Sequence, residues 1–149
     1  MNDNYSKRAA LRAALLAGLV LWPLCTLAAD THTTPPPAVV KQFIDEDLVG
    51  ADRKELLMLT VEYLPGGASL PHRHDAQVFV YVLQGELTMQ VAGSRAVTLR
   101  QGETFYENPT DVHLVSANAS KTAPAKILVF IVKNKGAPVS RDVSPKETP

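Results

Sequence analysis

Between residues 55 and 132 the chain alternates short apolar runs with turn residues at nearly even intervals. Glu55 to Leu64 carries Leu56, Leu57, Met58, Leu59, Val61 and Tyr63. Its length would suit a helix, but no cap precedes it and Pro65-Gly66-Gly67 follows, so it reads as a strand. Further strands are expected at Gln77 to Leu83, Leu87 to Val91, Ala96 to Leu99, Thr104 to Tyr106, Val112 to Ser116 and Lys126 to Val132. The turns between them are Gln84-Gly85-Glu86, Gly93-Ser94, Gln101-Gly102 and Asn108-Pro109-Thr110-Asp111, and Asn118 to Pro124 is a polar loop. Lys41 to Leu48 reads as an edge strand ending in the turn Gly50-Ala51-Asp52. Short strands at this spacing predict an all-β sandwich or barrel. There is no long amphipathic helix and no convincing internal repeat.

The flanks differ. Lys7, Arg8 and Arg12 precede an apolar run from Ala13 to Leu24, and small residues follow at Thr26-Leu27-Ala28-Ala29. These are the three parts of a secretory signal peptide over residues 1–29, cleaved after Ala28 or Ala29, and they predict a periplasmic or secreted protein. A retained anchor would need about 20 apolar residues, and this run is shorter and broken by Pro23. No membrane association is expected of the mature form. Residues 30–39, with Pro35-Pro36-Pro37, read as an extended linker. From Asn134 the chain is polar with little to bury, so residues 134–149 read as a flexible tail and residues 40–133 as the single domain.

Charge and cysteine content narrow the chemistry. The chain has 15 basic and 15 acidic residues, and removal of the leader leaves a slight acidic excess. Scattered charge of this kind makes no case for nucleic acid. The one cysteine, Cys25, lies in the leader, so a mature chain has no disulfide, thiolate ligand or cysteine nucleophile. Any metal must be held by histidine, carboxylate, amide or water.

His72 and His74 stand two residues apart where a strand begins, and alternate strand residues share a face. The two imidazoles therefore point the same way. If the strand is regular, Val78, Val80 and Val82 continue that face as an apolar wall, while Phe79, Tyr81 and Leu83 take the other. His113 follows two turns later. His32 falls in the linker and has no evident role.

The pattern Gly66-x5-His72-x-His74 followed by Tyr81-Val82-Leu83-x-Gly85 resembles the first signature motif of the cupin superfamily, and Gly102-x10-His113 resembles the second. The resemblance covers roughly residues 60–132. It implies a small jelly-roll barrel, a double-stranded β-helix of the single-domain cupin type. It also implies one divalent metal near the barrel mouth, held by His72, His74 and His113, and pairing of two copies into a homodimer. The chain departs from the pattern in one consequential place. The glutamate expected seven residues before Gly85 is replaced by Val78. Its neighbour Gln77 has an amide oxygen, but strict alternation turns it away from the histidines, and only a bulge between His74 and Gln77 would bring it in. The fourth position is therefore water or Gln77. In the second motif, the asparagine expected four residues after the histidine is Ala117, with Asn118 one place later. Glu107 and Asp111 lie near His113 as acceptors for an imidazole N–H or as solvated turn residues.

Three neutral imidazoles with open positions suit Fe, Zn, Ni, Cu or Mn, and residue types alone do not choose among them. Three functions follow. One is a metal-dependent, dioxygenase-like oxidoreductase acting on a small organic molecule. The second is a non-enzymatic module that binds or senses a metal or small ligand. The third is a metal-dependent isomerase or hydrolase.

Overall fold

The structure, a computed structural model, describes residues 34–143. The leader, its cleavage site, Cys25 and His32 lie outside the described residues, as do residues 144–149. Among the described residues there are eleven strands and no helix: β1 (Val39–Asp47), β2 (Lys54–Tyr63), β3 (Ala68–Ser69), β4 (His72–Arg73), β5 (Gln77–Gln84), β6 (Glu86–Val91), β7 (Val97–Arg100), β8 (Thr104–Glu107), β9 (Val112–Asn118), β10 (Ala125–Asn134) and β11 (Arg141–Asp142). One antiparallel sheet runs β1-β2-β10-β5-β8 and a second runs β11-β4-β9-β6-β7, with β3 paired to β9. This is an all-β, two-sheet architecture as the strand-and-turn rhythm predicts, and the jelly roll that the cupin resemblance implies.

Alternation sets the interior. Along β10, Ile127, Val129 and Ile131 are buried. Along β5, Val78, Val80 and Val82 are buried, and Phe79, Tyr81 and Leu83 face out. Leu57 and Leu59 of β2 and Leu87 and Met89 of β6 complete the core. Each such side chain removed from water contributes about 1.5–3 kcal/mol. Where β5 turns into β6, Gly85 adopts φ +76, and a Cβ there would lie 2.7 Å from the Pro124 carbonyl oxygen. Only glycine fits both demands.

The valine face of β5 is as expected, but the route to it is not. A single strand from His72 through Val82 is not formed. β4 lies in the second sheet and β5 in the first, so the chain changes sheets between His74 and Gln77. The strand phase restarts at Gln77, which is exposed.

The domain also reaches past the expected boundary at residue 133. The buried Lys133 pairs with Glu55 and donates to the Ala137 carbonyl at 2.8 Å. These contacts turn the chain back, and β11 pairs with β4, Arg141 opposite Arg73 and Asp142 opposite His72. Hydropathy pointed to a tail here because the segment's hold is mostly polar, with Val139 packed against the core. At the other end, the Pro36 carbonyl accepts a hydrogen bond from the Ala68 amide at 3.2 Å.

Candidate metal centre

The two sheets enclose a cavity of about 580 Å³. Its walls are the inward residues of β2, β5, β6 and β10, among them Leu59, Val80, Met89 and Ile127. Its polar groups are His72, His74, His113, Glu107, and the hydroxyls of Thr34, Tyr63, Ser69, Ser116 and Ser140. Thr34, Pro35, Pro37 and Ala38 line it from the N-terminal side, and Val139 and Ser140 from the C-terminal side.

The three predicted histidines come together. His72 and His113 are direct cross-strand partners of β4 and β9, with ring centroids 5.2 Å apart. The His74 ring lies 4.9 Å from that of His72. His72 Nδ1 stands 2.7 Å from the Leu70 carbonyl oxygen, and His74 Nδ1 stands 2.5 Å from that of Val139. A carbonyl only accepts, so each Nδ1 carries a proton and donates it, and in the neutral ring Nε2 then keeps a free lone pair. The Phe105 ring lies nearly parallel to that of His113, at 6.0 Å and 9°. Neither ring nitrogen of His113 has a hydrogen-bond partner, though the residue is 2% exposed. Buried polar atoms of this kind normally find a partner.

Burial, and then the neighbouring His72 and His74, hold the His113 pKa down to about 3. Burial likewise lowers that of His74. Both rings are therefore neutral at physiological pH, as ligation requires. Glu107, 3% exposed at the end of β8, is the carboxylate of the site. Its Oε1 lies 3.5 Å from His113 Nδ1 and its Oε2 3.9 Å from His74 Nε2. Burial, and then the charge of Asp111, push its pKa up to about 7.

The donors cluster without closing. Among the described residues, no three His, Cys, Asp or Glu groups already stand at metal-holding distances. By chemistry the set nonetheless fits a divalent transition metal. Two imidazoles present free Nε2 atoms, a third is buried without a hydrogen bond, and a carboxylate stands beside them. His72, His74 and His113 would hold the ion.

Gln77 is not part of this set. No bulge returns it to the cavity, because the change of sheet resets the strand phase. It is exposed, and its Nε2 donates to the Tyr106 hydroxyl at 3.3 Å on the outer face.

Two polar features escaped the sequence reading. The buried Tyr63 hydroxyl sits 2.7 Å from Ser116 Oγ and 3.0 Å from Ser69 Oγ, and burial raises its pKa. In the apolar run of β2 its inward place looked like packing. The second feature is a bulge in β9. Val91 pairs with His113 while Gln90 pairs with Val115, which leaves Leu114 as an extra residue. The slip lets His113, Ser116 and Asn118 all face inward. It also explains the displaced asparagine. Asn118 Nδ2 lies within hydrogen-bond reach of the carbonyls of Tyr63, Leu64 and Ala123, and its Oδ1 accepts from the Ser120 amide.

Comparison with known proteins agrees with this architecture. The Cupin domain family model matches residues 59–131. An oxalate oxidase solved with the substrate analogue glycolate is 27% identical, with a TM-score of 0.57; the match covers 71% of this chain and 55% of that one. The chain thus spans just over half the length of that enzyme. A cupin domain from Bordetella pertussis is 21% identical, with a TM-score of 0.54 and coverage of 68% and 98%. A DMSP lyase from Ruegeria pomeroyi is 19% identical, with a TM-score of 0.59 and coverage of 81% and 57%. No curated protein matches the chain. Motif spacing, sheet topology and the family match agree: this chain belongs to the cupin superfamily.

Proposed function

We propose that the protein binds one divalent transition metal through His72, His74 and His113, and works as an oxidoreductase on a small organic molecule. The observation that carries the proposal is His113, buried with no hydrogen bond to either ring nitrogen, beside two imidazoles whose Nε2 atoms are set by backbone carbonyls. The likeness to an oxalate oxidase supports the reaction class. The cavity supports a different substrate shape. Walls such as Leu59, Val80, Val129 and Ile131 suit an apolar body, and the histidine end suits an oxygen-bearing head.

When bound, the metal would supply a site where an oxygen donor and dioxygen can coordinate together. The chain's own residues do the rest. The carbonyls of Leu70 and Val139 hold the rings of His72 and His74 in one tautomer. Phe105 packs along His113. The apolar walls exclude water, and the Tyr63 hydroxyl offers a hydrogen bond to a ligand oxygen at the expense of one to serine. The leader over residues 1–29 supports work in the periplasm or outside the cell, which N-terminal sequencing of the exported protein would test.

The test is to strip the full protein of metal, reload it separately with Fe(II), Cu(II), Mn(II), Ni(II) and Zn(II), and follow oxygen uptake with aromatic diphenols and enols. Uptake with a redox metal and none with zinc is the expected result. Turnover with zinc and indifference to oxygen would contradict the redox reading in favour of an isomerase or hydrolase. Tight ligand binding without turnover under any metal would contradict it in favour of a binding module.

A further inference from the structure

The glutamate that the first motif lacks has a structural counterpart. Val78 occupies the expected position, and in the β5–β8 ladder its direct partner is Glu107. Residues opposite each other in an antiparallel pair share a face, with Cβ atoms about 4.5–5.5 Å apart. Both side chains line the same cavity, and both are buried. A carboxylate carried at 107 therefore reaches the volume that one carried at 78 would reach, from the facing strand.

The surroundings of Glu107 point the same way. His74 Nδ1 is committed to the Val139 carbonyl, so its metal-facing atom is Nε2, and that atom is the one 3.9 Å from Glu107 Oε2. Two donors bound to one first-row metal at about 2.1 Å each stand about 3.0–3.5 Å apart. The observed gap of 3.9 Å exceeds that range by about 0.4 to 0.9 Å, within the reach of a side-chain rotation. Among the described residues the Glu107 carboxylate stands 3.9 Å from the His74 ring and 3.5 Å from the His113 ring, accepts no hydrogen bond, and has no Lys or Arg paired with it. A buried carboxylate is costly without a cationic partner.

We infer that Glu107 is the fourth protein ligand, a carboxylate supplied from β8 in place of the one missing from β5. This rests on the three-histidine reading and extends it. The site then carries the negative charge that the loss at position 78 had removed, and it retains hard cations such as Mn(II) that three imidazoles alone hold weakly.

The experiment measures Mn(II) and Ni(II) affinity by titration of the metal-stripped full protein. It compares the wild type with Glu107→Ala, Glu107→Gln and the exchange Val78→Glu/Glu107→Ala, with far-UV circular dichroism as the check on folding. Expected are a loss of about tenfold or more in Mn(II) affinity for Glu107→Ala, a smaller loss for Ni(II), and recovery to within roughly threefold in the exchange variant. Folded Glu107→Ala with wild-type Mn(II) affinity overturns the inference whatever the exchange variant does. So does a loss repaired by Glu107→Gln and not by the exchange, because the side chain would then only orient His113. A wild type that binds neither ion fails earlier, at the three-histidine site.

Discussion

β5 and β9 line the cavity from opposite sheets, and they serve it differently. From Gln77 through Val82 β5 alternates without a break, slipping against β10 only at Leu83 beyond its inner valines, and its inner face is three valines. β9 slips once at Leu114, and its inner face is His113, Ser116 and Asn118. The regular strand builds wall. The irregular strand delivers polar groups, because the extra residue brings inward a set that strict alternation would split between faces. The contrast shows where a jelly roll with few polar interior positions places its chemistry: at breaks in the period, where a side chain can be re-aimed without loss of the ladder.

Damage to the two strands should therefore differ in kind. The largest effect is expected on the wall. Val82 is fully buried, so Val82→Asp places an unpaired charge in the core and should abolish folding, a loss above about 4 kcal/mol. Loss of the cooperative thermal transition would register it, and a folded variant would show that the wall tolerates charge.

Next in size is a gain, in the metal-free protein. Glu107 has its pKa raised by burial, from the ordinary 4.5 to about 7. The folded chain keeps a proton that the unfolded chain releases, so stability is lost as pH rises from 4.5 to 7, and the loss persists above. Glu107→Gln should remove a penalty on the order of 3 kcal/mol at pH 8 and bring no gain at pH 4. Urea denaturation at both pH values checks the sign. His113 has the opposite slope: its contribution is complete above pH 6.5 and is lost as pH falls toward about 3. The two partly cancel between pH 4.5 and 6.5.

Third is the polar strand itself. Asn118→Ala leaves the loop after β9 without its anchor and should cost about 2 kcal/mol, read as a shift in denaturation midpoint, with the barrel still formed. The smallest effect belongs to the outer face. Gln77→Ala should change stability by less than about 0.5 kcal/mol and leave metal affinity unaltered, because among the described residues that side chain hydrogen-bonds only the Tyr106 hydroxyl.

Most of the fold was legible in the chain, because periods and turns are local. Strand positions, the buried valines of β5 and the positive-φ turn at Gly85 all follow from neighbouring residues. The three histidines were legible for the same reason, as spacings within two motifs. What was not legible depends on pairing between distant strands. The change of sheet after His74 made Gln77 an outer residue despite its closeness to the pair. The register of β5 against β8, which sets Glu107 opposite Val78, joins residues 29 positions apart and leaves no local trace. The return of residues 137–142 hangs on the Lys133–Glu55 pair and on backbone pairing, which hydropathy does not record, and on Val139, a single apolar residue too isolated to mark a strand.

The claim on which everything else depends is that His72, His74 and His113 hold a metal. The measurement that tests it most directly is the metal content of the full protein purified without chelators or affinity metals, beside a His72→Ala/His74→Ala variant prepared in parallel. Close to one transition-metal ion per wild-type chain and almost none in the folded variant is the predicted result. Equal metal in the two preparations, or none in either after exposure to each candidate ion, would contradict it.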